Sequence, residues 1–157
     1  MFMCSDAVFA QNSSNTIPTG VTTAFTAKYP NATVKRWHAD KTGFIAKAWE
    51  GSQKFYATFD QNGHWVNTTS KITWSWNLPA EVRASLKSGK FAAWGIDGIK
   101  KVETPAKNFY QVCVDNGGLQ PDADHAEVFT ETRVLDFTPD GEAFAEETVA
   151  ASRGRLG

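Results

Sequence analysis

The apolar and polar positions of this chain run through one pattern twice. Ile17-Pro18-Thr19-Gly20-Val21 opens the first run, and Leu78-Pro79-Ala80-Glu81-Val82 opens the second 61 positions later. In each, proline stands where a helix begins, a position at which its missing N–H costs nothing. Val21, Ala24, Phe25 and Lys28 then recur at helical spacing, and Val82, Ser85, Leu86 and Gly89 repeat that spacing more weakly. Tyr29-Pro30 stops the first helix, because proline disfavours the α conformation in the residue before it. Ser88-Gly89 stops the second.

After the first helix the period shortens to two. Thr33–His38, Gly43–Glu50, Gln53–Phe59 and His64–Thr69 read as strands, and Phe55-Tyr56-Ala57-Thr58-Phe59 alternates as a sheet with one covered face requires. Asp60-Gln61-Asn62-Gly63 supplies a hairpin turn. Phe137-Thr138-Pro139-Asp140-Gly141 stands in the same place of the second run, which is longer by 17 residues. Asp115 to Glu127, rich in Asp and Gly, accounts for part of the excess as an extended hairpin loop. Residues 151–157 read as a frayed tail.

The expected fold is therefore α+β: two tandem helix-plus-antiparallel-sheet units forming one curved sheet of about eight strands, with the helices on one face. Residues 1–16 form a lead, 17–77 the first unit, 78–149 the second and 150–157 the tail. If Phe44, Ala46, Ala48, Phe55, Ala57 and Phe59 face the helices, Ile45, Lys47, Trp49, Tyr56 and Thr58 face the other way, and Trp65 joins them. Trp and Tyr are enriched at binding hot spots, so these six residues form the candidate binding surface. The competing reading is a second, smaller core where the units meet, or a homodimer contact. In the second unit Tyr110, Val112 and Val114 point inward, leaving Phe109 and Cys113 outward. Trp74 and Trp76, in the link between units, are expected to pack the crossover onto the core rather than to stack on a ligand.

Composition narrows the function. Of 157 residues 41% are hydrophobic, with six Trp and eleven Phe, as a folded globule demands. Sixteen Lys+Arg stand against 17 Asp+Glu for a net charge of −1, leaving no footprint for duplex nucleic acid or an anionic membrane. Lys35, Arg36, Lys47 and Lys54 have acidic neighbours, which argues against a single-stranded nucleic acid partner. No apolar run approaches the roughly 20 residues of a membrane span. Val8-Phe9-Ala10 followed by Gln11 fits a signal-peptidase site, so residues 1–10 read as the end of an export signal that starts upstream; an irregular cytosolic N-terminus is the alternative. Met3 makes Cys4 a poor lipidation cysteine. A chain cleaved after Ala10 keeps only Cys113, a lone thiol in an apolar strand.

Reactive constellations are lacking. His38, His64 and His125 form no H-E-x-x-H, and His38, Asp40 and His64 would need the first and fourth strands to meet before they could hold zinc. No G-x-S-x-G or phosphate-binding loop occurs. A Cys113–His125 thiol–imidazole pair is disfavoured by the apolar run around Cys113. Asp60-x-Asn62-Gly63 and Asp122-x-Asp124 are faintly like calcium loops; the first reads as a turn, and calcium at the acidic loop 115–127 stays open. No catalytic residue, metal or cofactor is assigned.

Taken in order, Ala24-Phe25, Tyr29-Pro30-Asn31-Ala32, Val34, Trp37, Phe55 to Phe59 with Asp60, Asn62-Gly63 and Trp65, then Ile72, Trp74 and Leu78-Pro79, resemble the PepSY-like proteins. These are exported bacterial domains related in fold to the beta-lactamase inhibitory protein. The resemblance covers about residues 17–149, is firmer in the first unit, and weakens in the second, which lacks the Tyr-Pro pair. It implies tandem units, a periplasmic or secreted location, and binding or inhibition of another protein; it carries no shared catalytic or inhibitory motif. The expectation is an extracytoplasmic, non-enzymatic binding module, such as a protein or protease inhibitor-like domain, that takes a protein or peptide on its open sheet face. The alternative is a small-molecule or sugar-binding domain, or an enzyme, with a tryptophan-lined pocket; a structural homo-oligomer is a third possibility.

Overall fold

The computed structural model describes residues 16–117 and 127–155. Helix α1 (Thr19–Lys28) begins directly after Pro18, whose carbonyl accepts the Val21 and Thr22 N–H groups at 3.0 and 3.2 Å. It ends at Tyr29, whose N–H closes the last turn on the Phe25 carbonyl at 2.8 Å. Strands β1 (Thr33–Ala39), β2 (Gly43–Glu50), β3 (Gln53–Asp60) and β4 (Trp65–Lys71) follow. A short 3-10 turn (Ser75–Asn77) leads into α2 (Ala80–Ser88), which starts after Pro79 and stops at Gly89. Strands β5 (Gly95–Glu103), β6 (Asn108–Asp115), β7 (Glu127–Phe137) and β8 (Ala143–Arg155) complete the chain. The fold is α+β, with one eight-stranded sheet in the order β1-β2-β3-β4-β5-β6-β7-β8, as the duplicated pattern requires.

The described residues divide into two compact units. One takes residues 16–71 and 101–108, the other 72–100 and 109–155. In the first, Val21 and Phe25, one helical turn apart, bury against Phe44, Ala46, Ala48, Phe55, Ala57 and Phe59. The alanines at the centre let the helix approach the sheet closely, and the Phe rings fill the rim. Phe25 is the hub: its ring meets Trp37, Phe55 and Phe59 with centroids 5.7, 6.4 and 6.3 Å away.

The second unit repeats this design with different side chains. Val82 and Leu86 occupy the helix positions of Val21 and Phe25, and with Leu78 they pack on Ile99, Val112, Val114, Leu135 and Phe137. The turn glycines make the duplication concrete. Gly63 (φ +84°) sits against the Gly20 carbonyl in the first turn of α1. Gly141 (φ +85°) sits against the Glu81 carbonyl in the first turn of α2, so close that a Cβ would lie 2.5 Å from that oxygen. Both turns need the left-handed conformation that glycine adopts freely, and both dock their hairpin on the start of their own helix. Ser85 Oγ fastens the second dock by donating to the Gly141 carbonyl at 2.5 Å.

Three expectations are corrected. The tail is not frayed from Ala151 onward, because β8 continues to Arg155, paired with Glu127 of the long β7. Trp74 and Trp76 do not pack on the core: they are 53% and 62% exposed and stack on each other, centroids 4.8 Å apart and planes within 6°. Leu78 and Ile72 take the anchoring role instead. Cys113 is not a lone thiol: it is disulfide-bonded, while the chain's other cysteine, Cys4, lies outside the described residues. The lead 1–15, with its export-signal reading, and Asp122, Asp124 and His125 also lie outside them.

Candidate binding face on the first unit

Strand register assigns the residues of β1, β2 and β3 to two faces. Cross-strand partners share a face, and the pairs Ala48–Phe55, Ala46–Ala57 and Phe44–Phe59 all lie under α1. Trp49–Lys54, Lys47–Tyr56 and Ile45–Thr58 therefore lie on the other face, and each of these six residues is half-buried. Five of the six expected residues, Ile45, Lys47, Trp49, Tyr56 and Thr58, are brought together there.

Trp65 is not among them. A register shift between Thr58 and Phe59 pairs Phe59 with Trp65 but Thr58 with Asn67. Trp65 thereby turns under the helix, where it packs against the first core. Its Nε1–H donates to Thr68 Oγ1 at 2.9 Å, and Lys28 Nζ stands 3.5 Å above its ring. Thr68 is buried and also hydrogen-bonds the Tyr29 hydroxyl. Burial raises the Tyr29 pKa above the ordinary tyrosine value, the Thr68 hydrogen bond opposing that effect.

A second irregularity adds residues to the face. The β1–β2 register shifts between Val34 and Arg36, so Lys35 is the extra residue of a bulge. Arg36 then pairs with Lys47 on the face opposite α1, His38 with Ile45 beside it, and Trp37 with Ala46 under the helix. Strict alternation from Val34 would send Arg36 inward and Trp37 outward; a β-bulge leaves no reliable mark in one sequence, so the pattern missed Arg36 and His38. Lys54 was open to the same alternation that found Tyr56.

The result is a small checkerboard. Along β2 the order is cation then aromatic, Lys47 and Trp49; across β3 it is aromatic then cation, Tyr56 and Lys54. Lys54 Nζ lies 5.8 Å from the Tyr56 ring centroid. Arg36 places a second cation directly opposite Lys47. The acidic residues near these positions in sequence stand elsewhere. Asp40 and Asp60 close the two hairpin turns, and Glu50 ends β2. The Asp40 carboxyl is held below its usual pKa by the Thr42 hydroxyl and by backbone N–H donors, and that of Asp60 by the His64 and Asn62 N–H groups. The sequence's even mixture of charge is not even in space. Residues 16–71 and 101–108 hold nine Lys and Arg against four Asp and Glu, whereas residues 72–100 and 109–157 hold seven against twelve.

Two other features compete as sites. A cavity of about 320 Å³ in the second unit is lined by Leu86, Phe91, Leu135, Phe137 and Ala145, with Ser85 and Ser88 at the helix end. Lys90 and Arg133 both pair with Glu146 at its rim. No tryptophan lines it, so it is not the tryptophan-lined pocket of the alternative expectation. The other feature is the exposed Trp74–Trp76 stack. On the side of the second unit opposite Val112 and Leu135, the cross-strand partners Cys113 and Val134 are 4% and 5% exposed, so that side is closed at this pair. Because Cys113 is disulfide-bonded, it has no thiol to offer His125. Among the described residues no group of three or more His, Cys, Asp or Glu could hold a metal ion, and no helix is long and apolar enough to cross a membrane.

No family model matches the sequence, and no curated protein matches it. Solved structures do. A BLIP-like protein of Bacteroides fragilis superposes with a TM-score of 0.74 at 21% identity, covering 87% of this chain and 89% of that one. A DUF2874 family protein of Bacteroides ovatus gives 0.71 at 24% identity over 87% and 90%. A candidate periplasmic protein of Bacteroides eggerthii gives 0.68 at 19% identity over 86% and 91%. At these identities the likeness is one of fold, and the fold of this chain is BLIP-like.

Proposed function

We propose that this protein is an extracytoplasmic, non-enzymatic binding module of the PepSY-like kind, and that it engages a protein partner through the open face of β1, β2 and β3. One observation carries the reading: Lys47, Trp49, Lys54 and Tyr56 lie together on the face of the first sheet opposite α1. Trp and Tyr are among the residue types enriched at interface hot spots. A further observation supports the location: one solved relative of the fold is a candidate periplasmic protein.

The test is affinity capture from cell-envelope extracts with the wild-type chain and with Trp49→Ala and Tyr56→Ala. The expected result is a partner retained by the wild type and lost by both variants, with unchanged circular dichroism. Capture of the same proteins by all three would overturn the reading. The cavity of the second unit supports a second reading, a small-molecule site; a thermal shift on adding an apolar ligand, abolished by Ala145→Phe, would favour it.

A further inference from the structure

We infer that the partner surface recognised by the open face is an acidic, partly apolar segment of a protein chain; this rests on the proposed use of that face. The first support is an uncompensated like-charge pair. Arg36 and Lys47 are directly opposed across β1 and β2, an arrangement that destabilises a sheet. Neither side chain makes an ion pair with any described residue. A carboxylate placed over the pair removes the repulsion and gains two charge-assisted hydrogen bonds.

The second support is the local charge. The residues of this unit carry a net charge of +5 although the whole chain carries −1. The face therefore attracts anions, and its field speeds the encounter with an acidic partner.

The third support separates an acidic protein segment from a polyanion. A nucleic acid presents a phosphate every 3.4 Å or so along each strand and calls for a continuous cationic track. Across β2 and β3 cations and aromatics alternate in both directions, Lys47 beside Tyr56 and Trp49 beside Lys54, with Arg36 the one cation next to another. Same-face neighbours along a strand are about 6.6 Å apart, and neighbouring strands about 4.8 Å apart. That grid matches a segment in which carboxylates alternate with apolar side chains, each carboxylate meeting a cation and each apolar group an aromatic ring.

The probe is a fluorescein-labelled dodecapeptide alternating Glu and Leu, titrated against the full chain by anisotropy. Its comparators are the Lys-Leu counterpart and a twelve-residue oligothymidylate. The expected outcome is binding of the Glu-Leu peptide that weakens with added salt. Arg36→Gln/Lys47→Gln should lower its affinity by about tenfold or more, and neither comparator should bind as well. The inference is overturned if the Glu-Leu peptide does not bind, if the oligothymidylate binds more tightly, or if the double Gln variant binds the peptide like the wild type. Circular dichroism and the melting temperature of the variant establish that it folds; if the pair does not, Arg36→Gln alone serves. If Trp49→Ala abolishes partner capture while the Gln variant retains it, the open face stands and the acidic partner falls. If both variants capture as the wild type does, both fall.

Discussion

At the residue scale, Thr68 is one buried polar group that serves two aromatic side chains. Its hydroxyl takes the Trp65 indole N–H and bonds the Tyr29 phenol at 2% exposure. Thr68→Val keeps the shape and strands both partners, so a loss of about 1–3 kcal/mol is expected in urea unfolding. Arg36→Glu should act in the opposite sense. It converts a cross-strand repulsion into an attraction with Lys47, for a gain of roughly 0.2–1 kcal/mol, read as a raised melting temperature. A stabilised fold with a weakened partner would mark Arg36 as kept for binding. The turn carboxylates predict a pH dependence. Asp40 and Asp60 have folded pKa values depressed by hydrogen bonds they accept. Their stabilisation is therefore fully present above the ordinary aspartate pKa of about 3.9 and is lost as pH falls through the folded values. Asp40→Asn/Asp60→Asn should lower the urea midpoint at pH 7 and leave it unchanged once the wild-type carboxylates are protonated.

At the element scale, the alternation in Phe44–Ala48 and Phe55–Phe59 was legible because a strand buried on one side must repeat every two residues. The same rule failed at Trp37 and Trp65. Each lies next to a register shift, and one extra residue reverses every side chain beyond it. Trp37 gains the Phe25 ring by the reversal, and Trp65 gains Thr68 and the Lys28 ammonium. The Phe25 and Lys28 contacts are distant in sequence, and the Thr68 contact, three residues away, forms with Trp65 on the helix side of the register shift, so alternation alone announces none of them. The turn glycines offer a graded test. Gly63→Ala and Gly141→Ala both force a positive φ on a residue with a Cβ, at about 1–3 kcal/mol. Only the second also drives that Cβ into a helix carbonyl, so Gly141→Ala should lower the melting temperature more than Gly63→Ala does.

At the scale of the whole molecule, the two buried clusters have no residue in common. Phe25→Ala removes the hub of the first, for an expected loss of about 3–5 kcal/mol. Hydrogen exchange should show the amides of β2 and β3 losing protection before those of β6 and β7. The repeat itself was readable from the chain: Pro18 and Pro79 open the helices, Val21 and Val82 bury them, and Gly63 and Gly141 turn back onto them. These features depend on local backbone chemistry and on period, which a sequence carries directly. The candidate face was readable only in part. Trp49, Tyr56, Lys47, Ile45 and Thr58 follow from the period of two, because burial of one side of a strand leaves the other side no choice. Arg36 beside Lys47, the removal of Trp65 to the core, the exposure of Trp74 and Trp76, and the separation of cations from Asp40, Asp60 and Glu50 were decided by tertiary structure. The first two depend on single-residue register shifts, and the other two on which elements come to neighbour which, and those are set by packing between residues far apart in the chain.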